Sequence, residues 1–507
     1  MDLPTDVLIG LDAGTSTVTA VAFAPDGREI ALSTGAKAVH QVADGGVEQD
    51  PGEAWQAAAA VLRDLAGKVP NLAARTAAVA ITGPDGGAWL VDEDGDPVAP
   101  AWLAADRRAT TLVARWRRQP IGRELRAITG RAIEPALASA QLACLAERHP
   151  TLLDRAATAF QSKDWLYFCC THERATDSAS AAGTFGSFRT GGYDARVLDL
   201  LHLQEIARLL PEIVDGTQTH GELTEAAAAA TGLVAGTPVV LGPIDLIATA
   251  LAAGLAADAG PGCSILNGGG VHVRADRTPS DPGSAYSEIN AVMPYAGIWF
   301  KEARGPATIT AQWLIELATQ LVADAGLIGI RRDELIATLE QKAAAAAPGV
   351  LVRHSGRWHA DRSSPVGPAG LLGLSDATTF YDLLRSIREG DGFAASACYD
   401  ALGGRPEELR VTGEGAASPL ARQVLAACVD APLRVIRRET PAPAGAAMIA
   451  AVSLGHYRTL DEASRDWVGP HLDDLEPVDR QLHAVYAQRL ADQLTAAFVS
   501  AAACPAA

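Results

Sequence analysis

The stretch Val7-Leu-Ile-Gly-Leu-Asp-Ala-Gly-Thr-Ser-Thr-Val-Thr-Ala-Val-Ala-Phe23 decides the fold. Val7 to Leu11 is a wholly apolar run and reads as a buried strand. Asp12 to Ser16 is a tight polar turn, and Thr17 to Phe23 alternates as a second strand. Pro25-Asp-Gly27 then signals a turn, and Arg28 to Leu32 a third strand. The result is a meander folded around a Gly/Thr/Ser loop. A dinucleotide-binding or P-loop unit runs instead from strand through glycines directly into a helix. The β-branched, alternating residues after Thr15 argue against that helix, and neither glycine signature fits.

Working outward, a loop over 43–51 precedes a helix predicted from Gly52 to Leu65, with Trp55, Val61 and Leu62 on one face. Thr76 to Ile81 reads as a strand closed by Thr82-Gly-Pro-Asp-Gly-Gly87. Trp89 to Val91 is another strand, with Asp94-Gly95 as its turn. Much of 104–234 is helix-rich around Lys163 to Tyr167. The opening pattern recurs mid-chain: an apolar strand (Cys263 to Leu266), a small-residue turn (Asn267 to Gly270) and an alternating strand (Val271 to Arg274). Two such hairpins imply a duplicated architecture with a cleft between the copies. The boundary falls near Pro238 to Gly242, giving units 1–242 and 243–507. Helices are expected from about Pro306, a residue suited to a first helical position. An Ala/Pro/Gly-rich loop is expected at 343–350, and a close-packing helix of small residues over Ala444 to Gly455.

The 507 residues exceed one compact core, so two or more domains are expected. A net charge of −18 argues against nucleic acid or an anionic membrane as partner, because both require a basic footprint. Leu233 to Leu255, the most apolar long segment, is interrupted by Gly236, Pro238, Gly242, Pro243 and Asp245. It reads as a strand, a turn and a helix rather than a membrane span. The N-terminal residues show no basic region before an apolar run, which argues against a secretory leader. Seven cysteines without a C-x-x-C pair make a zinc site or disulfide framework improbable and point to a reducing cytoplasm.

These pieces, in this order, resemble the FGGY carbohydrate kinases of the actin-like, ribonuclease-H-fold superfamily. The resemblance rests on GLDAGTST (10–17), VEQDP (47–51), AITGPDGGAWLVD (80–92), PAWLAADRR (100–108) and SKDWLY (162–167). It continues through GTPVVLGPIDLIATALAAG (236–254), VTGEGAAS (411–418) and PAGAAMIAA (443–451). Each motif is weak alone; their joint order and spacing carry the assignment. SKDWLY followed by Arg174-Ala-Thr-Asp177, Thr184-Phe-Gly186 and Phe188 is most similar to the erythritol-phosphorylating branch. The resemblance implies an α/β fold of two ribonuclease H-like domains with an active-site cleft between them. The acceptor would sit mainly on 1–242 and ATP mainly on 243–507. It further implies ATP and Mg2+ as cofactors and a small sugar or polyol as substrate, and leaves a homodimer open.

Asp245 is the expected catalytic base. It follows the apolar run Val239 to Leu241 and the turn Gly242-Pro243, where burial would raise its basicity; an ordinary helix N-cap is the competing reading. Asp12, at the end of a wholly apolar strand, matches the family position that holds Mg2+ through water, with Asp245 as second carboxylate; an Asx turn is the alternative. Gly14, Thr15 and Ser16 would wrap the phosphates, with Gly268, Gly269 and Gly270 as a second phosphate loop. There the family usually shows Gly-Thr, so a hydroxyl is missing. Gly413, Gly415, Ala416 and Ser418 resemble an adenosine-binding loop, with Ser418 capping the next helix; a plain tight turn would look the same. Thr82, Asp85, Trp102, Asp106 and Arg108 are acceptor candidates, although Asp106 and Arg108 read equally as a structural ion pair.

Pro84 and Ala104 depart from the Gln and Trp common at those family positions, which leaves room for an acceptor other than erythritol. The competing functions are a ketose kinase of the xylulose or L-xylulose type, and a non-catalytic sugar-binding relative. Gly269 and Pro84 favour the latter; Asp12, Thr15 and Asp245 argue against it. His272 reads as a satisfied strand histidine, Trp165 and Phe168 as core, Cys169-Cys170 as buried thiols, and Asp473 to Asp479 as a solvated face.

Overall fold

A computed structural model describes residues 5–256, 260–267, 270–280, 289–305, 310–326, 331–349, 353–354, 371–372 and 374–490. Two six-stranded sheets organise it. The first comprises β1 (Val7–Asp12), β2 (Thr17–Phe23), β3 (Glu29–Ala36), β4 (Thr76–Gly83), β5 (Gly221–Glu222) and β6 (Pro238–Ile244), in the order β5-β6-β4-β1-β2-β3. β1, β2 and β3 form the antiparallel meander, while β4 and β6 add in parallel to β1.

The second sheet comprises β7 (Pro261–Ile265), β8 (Val271–Asp276), β9 (Ile289–Tyr295), β10 (Ile298–Arg304), β11 (Glu408–Thr412) and β12 (Leu433–Val435). Its order is β9-β10-β8-β7-β11-β12. Again an antiparallel hairpin (β7, β8, then β10) meets two parallel strands (β11, β12). Five strands of the first sheet are thus repeated in the second, while the sixth strands, β5 and β9, sit at opposite edges.

The helices that position the cleft are α1 (Pro51–Lys68), α2 (Ser162–Thr171), α3 (Ser178–Phe185), α4 (Asp245–Ala252), α5 (Ala311–Asp324), α6 (Arg332–Ala345), α7 (Phe380–Ala401), α8 (Pro419–Val429), α9 (Pro441–Ser453) and α10 (Leu460–Val468). α1 begins where Asp50 accepts from the Glu53 N–H at 2.9 Å, with Pro51 at the first helical position. α5 starts at Ala311, capped by Thr310; Pro306, from which helices were expected, lies outside the described residues. α6 continues through Ala345, so the alanines at 343–345 extend a helix where a loop was expected. High alanine propensity outweighs the nearby Pro348-Gly349 until the chain reaches them.

The two sheets share one hydrophobic core. Leu8, Phe23, Ala80 and Val240 from the first and Cys263, Val273, Met293 and Phe300 from the second pack against buried faces of α4 and α9. These two helices cross at the centre of the molecule and are built from small residues. A Cβ on Gly445 would stand 1.8 Å from the Ala248 carbonyl oxygen, and one on Gly10 would stand 1.9 Å from the Pro443 oxygen. Backbones meet there with no space for a methyl group. Far from this crossing, Gly130–Ala132 joins the edge of the second sheet. The Val292 N–H donates to the Gly130 oxygen at 2.9 Å, the Ala132 N–H donates to the Asn290 oxygen at 3.3 Å, and Arg131 bridges Ala291. No helix among the described residues is long and apolar enough to cross a membrane.

Gly445→Ala is expected to cost about 2–3 kcal/mol through overpacking and to lower the thermal midpoint in calorimetry. Gly67→Ala, in α1 with open space around it, is expected to raise stability by about 0.5–1 kcal/mol. Equal midpoints for the two variants would contradict the close-packed crossing.

Candidate active site

Strand register brings the first two acids together. β1 and β4 pair Asp12 with Thr82, and β4 and β6 pair Gly83 with Ile244. Asp12 and Asp245 therefore lie at the carboxyl ends of parallel strands with one strand between them. That separates their backbones by two inter-strand steps, about 10 Å, leaving room for a hydrated cation and phosphate oxygens. The carboxyl ends of parallel strands are the usual ligand edge of such sheets.

Both carboxylates are half-buried. Burial pushes the Asp12 carboxyl up to about 8, the negative charge of Asp245 adds to the rise, and Lys37 offsets it. Asp245 is pushed up to about 6, first by burial; the Leu246 N–H and Arg304 oppose this, and Asp85 and Glu302 reinforce it. Asp12 Oδ1 is sealed from solvent and has no hydrogen-bond partner among the described residues. No Asx turn therefore uses it. Asp245 is not the capping residue of α4 either: it is the first helical residue, and Ile244 occupies the capping position. A sealed, unpartnered oxygen beside a second acid is an oxygen-rich site of the kind Mg2+ occupies with its waters retained. The groups present fit that ion.

The loop after β1 is tied from outside. The buried Lys37 Nζ donates to the Ala13 oxygen at 3.0 Å, and Ser162 Oγ donates to the same oxygen at 3.3 Å. The Lys37 N–H donates to the Ser16 oxygen at 2.9 Å. With these carbonyls held back, the N–H groups of Gly14, Thr15 and Ser16 have no acceptor among the described residues. Three free amides beside exposed Thr15 and Ser16 side chains can take an anion's oxygens.

In the second sheet, Gly268 and Gly269 lie outside the described residues. Their neighbours are stitched to the 413–418 loop. Asn267 Oδ1 accepts from the Glu414 N–H at 2.9 Å, and the Gly415 N–H donates to the Leu266 oxygen at 2.9 Å. Gly413 has φ +90°, and a Cβ there would stand 2.4 Å from Asn267 Oδ1, so glycine is required for this docking. Gly270, at φ +69°, faces the His272 ring. Ala416 is buried, and Ser418 Oγ is doubly used. It accepts from the Ala421 N–H at 3.1 Å, capping α8, and donates to the buried Glu340 at 2.7 Å. A ligand at this loop would meet backbone rather than the Ser418 hydroxyl.

The acceptor candidates divide. Thr82 is wholly buried and donates to the Pro243 oxygen at 2.6 Å. It fixes the turn before Asp245 and is not free for an acceptor, which corrects its place among the acceptor residues. Asp106 is a structural hub: it accepts from the Val47 N–H at 2.9 Å and pairs with Arg108 at 2.6 Å. Arg108 also pairs with Glu48 at 2.8 Å and lies 3.6 Å from the centroid of the buried Trp102 ring. Asp85 remains at the cleft, paired with Arg131 at 2.6 Å. Beside it, Gly86 donates its N–H to Gln161 Oε1 at 3.0 Å, and Ala104 and Ala136 line the same turn.

Sequence reading missed Lys37, Arg131, Gln161, Glu302, Arg304 and Glu340. Glu302 and Arg304 alternate at the end of β10 and pair with each other. Polar alternation at a strand end after an aromatic run was the available signal. Lys163 proves structural, wholly buried between Asp164 at 2.5 Å and Asp177 at 2.6 Å. Trp165 and Phe168 are core residues, with ring centroids 5.9 Å apart. His272 is buried, with Nδ1 3.0 Å from Ser264 Oγ. Cys170 is buried and Cys169 partly so; both are free thiols.

Residues 7–252 match the N-terminal domain of the FGGY family of carbohydrate kinases, and residues 293–454 match its C-terminal domain. The chain is 41% identical over 485 residues to the erythritol kinase of Brucella abortus (strain 2308), covering 94% of this chain and 92% of that protein. It is 27% identical over 496 residues to the L-xylulose/3-keto-L-gulonate kinase of Escherichia coli (strain K12), covering 96% and 95%. The fold superposes on a crystal structure of xylulose kinase from Rhodospirillum rubrum with a TM-score of 0.84 at 24% identity, covering 97% of this chain and 98% of that one. With both domains matched along the chain, and with the duplicated, actin-like arrangement of its sheets, the protein belongs to the FGGY family of carbohydrate kinases.

Proposed function

We propose that this kinase transfers the γ-phosphoryl group of ATP to a hydroxyl of a small polyol, with erythritol the first candidate and Asp245 the base. The observation that carries the reading is the pair Asp12 and Asp245, raised in pKa by burial and by like charge, at the ends of parallel strands beside a loop of free amides. Asp245 then takes the proton of the attacking hydroxyl, a task suited to a carboxyl poised near neutral pH. Gly14, Thr15 and Ser16 hold phosphate oxygens through their N–H groups. Asp12 would hold Mg2+, which would neutralise charge on the phosphates. The loop at 413–418 receives the nucleoside through its backbone, and 243–507 is the ATP unit facing an acceptor unit at 1–242.

Similarity to an erythritol kinase at 41% identity supports a four-carbon polyol. The small residues Gly86, Ala104 and Ala136 meet on the acceptor side; a Cβ on Gly86 would lie 3.6 Å from the Ala104 Cβ. Ala104 presents only a methyl group at this turn, where a tryptophan is common in the family. A ketose acceptor is the second reading, favoured by similarity to the L-xylulose/3-keto-L-gulonate kinase. A coupled ADP assay over four- and five-carbon polyols and ketoses, with Mg2+ and ATP, distinguishes them. Erythritol is expected to give the highest kcat/KM; a preferred ketose would replace the first reading with the second.

Asp245→Asn is expected to leave ATP binding within about threefold while cutting kcat by about a hundredfold or more, general-base catalysis being worth 10²–10⁴. Near-normal turnover in that variant would refute the base.

Asp12→Asn tests the charge pair without turnover. An Asp12 carboxyl raised in the folded state favours folding less and less as pH climbs from the unfolded value near 4 toward about 8. In metal-free protein, Asp12→Asn is therefore expected to raise the thermal midpoint, with a gain that grows over that window by at most about 1.4 kcal/mol per pH unit. The same variant is expected to lose the stabilisation that Mg2+ gives the parent. A gain independent of pH would contradict the pairing.

A further inference from the structure

Arg131 lies outside every motif that identifies the family. Its backbone is anchored to both halves of the molecule through the Gly130–Ala132 pairing with β9. Its side chain is only 10% exposed, and Nη2 pairs with Asp85 at 2.6 Å. Nη1 is sealed from solvent and has no partner among the described residues. A Cβ on Gly183 would stand 2.5 Å from that nitrogen, so glycine in α3 makes the space around it. Arg131 lines a small cavity with Thr129, Ser139, Gly183 and Thr184 on one part and apolar side chains such as Leu137 and Val197 on the rest, with space for about one water-sized group. Asp85, its partner, lies within the electrostatic reach of Asp245.

A buried guanidinium nitrogen without an acceptor is costly to maintain. The acids around Arg131 give Nη1 no hydrogen bond: Asp85 is held by Nη2, and Glu302 pairs with Arg304. The arrangement calls for an oxygen brought from outside. We propose that Arg131 is a specificity-determining residue for the acceptor. Its Nη1 donates to one acceptor hydroxyl, while Asp85, oriented by Nη2, accepts from the neighbouring hydroxyl. This pair recognises a vicinal diol, at the part of the acceptor away from the hydroxyl that Asp245 deprotonates. The inference rests on the acceptor site being the one proposed above.

The test compares the best acceptor of the polyol and ketose panel with a deoxy analogue that has no vicinal diol; for erythritol that analogue is 1,4-butanediol. Arg131→Met is expected to lower kcat/KM for the full acceptor by about 10- to 100-fold, mainly through KM, since a buried charged donor is lost. Its kcat/KM for the deoxy analogue is expected to change by less than about threefold, because that hydroxyl is already absent. KM for ATP stays within about twofold of the parent, as a contact confined to the acceptor requires. Gly183→Ala, which keeps the arginine but crowds Nη1, should show the same selective loss, and Arg131→Lys an intermediate one. Equal losses on both acceptors, or a rise in KM for ATP matching that for the acceptor, would overturn the assignment. An unmutated chain that turns over no acceptor refutes the kinase reading itself, a result visible without any variant.

Discussion

Two acids of like charge, Asp12 and Asp245, are held half-buried at one edge of a parallel sheet, and the surrounding structure answers that constraint. A pair of carboxylates in such surroundings favours protons or a cation. Lys37 supplies one positive charge close by, and burial lowers its own pKa to about 8. The same amine restrains the Ala13 carbonyl, so the group that tempers the charge also orients the amides of the next three residues. The charge at Asp12 and the shape of the loop that follows it are thus set by one side chain. The turn leading to Asp245 is fixed in turn by the Thr82 hydroxyl on the Pro243 oxygen.

Holding two such edges at a cleft requires rigid joining of the halves. The crossing of α4 and α9 achieves it with backbone contacts that only glycine permits at Gly10 and Gly445. Arg438 reinforces the join: it is buried, reaches Glu29 and the Gly27 oxygen in the first hairpin, and also meets the Trp467 oxygen. On the acceptor side the join is a short backbone ladder at Gly130–Ala132. Small residues at the centre and hydrogen bonds at the rim leave the cleft between them as the place where ligand chemistry occurs.

Much of this was legible in the sequence because periodicity is local. The meander from Val7 to Phe23, the strand through Thr76 to Ile81 and the small-residue helix near Gly445 appear where hydrophobic pattern places them. Asp12 and Asp245 could be singled out because the first ends an apolar strand and the second directly follows one. What escaped depends on partners distant in the chain. Thr82 looked available for an acceptor until the oxygen of Pro243 claimed it, 161 positions away. Ser418 was read correctly as a cap, yet Glu340 occupies its hydroxyl from another helix. Arg131 carries no local signal; its meaning arises where α3, the Asp85 turn and β9 converge. The helix starting at Ala311 owes its start to the Thr310 side chain, which accepts from the Trp313 N–H.

The most direct test of the account is the position of the metal. A crystal grown with Mn2+, a non-hydrolysable ATP analogue and the preferred acceptor would locate the ion by its anomalous signal. The peak is expected near the Asp12 and Asp245 carboxylates, on the same side as the 14–16 loop, with an acceptor hydroxyl against Asp245. A peak remote from Asp12, or an acceptor bound away from Asp245, would contradict it.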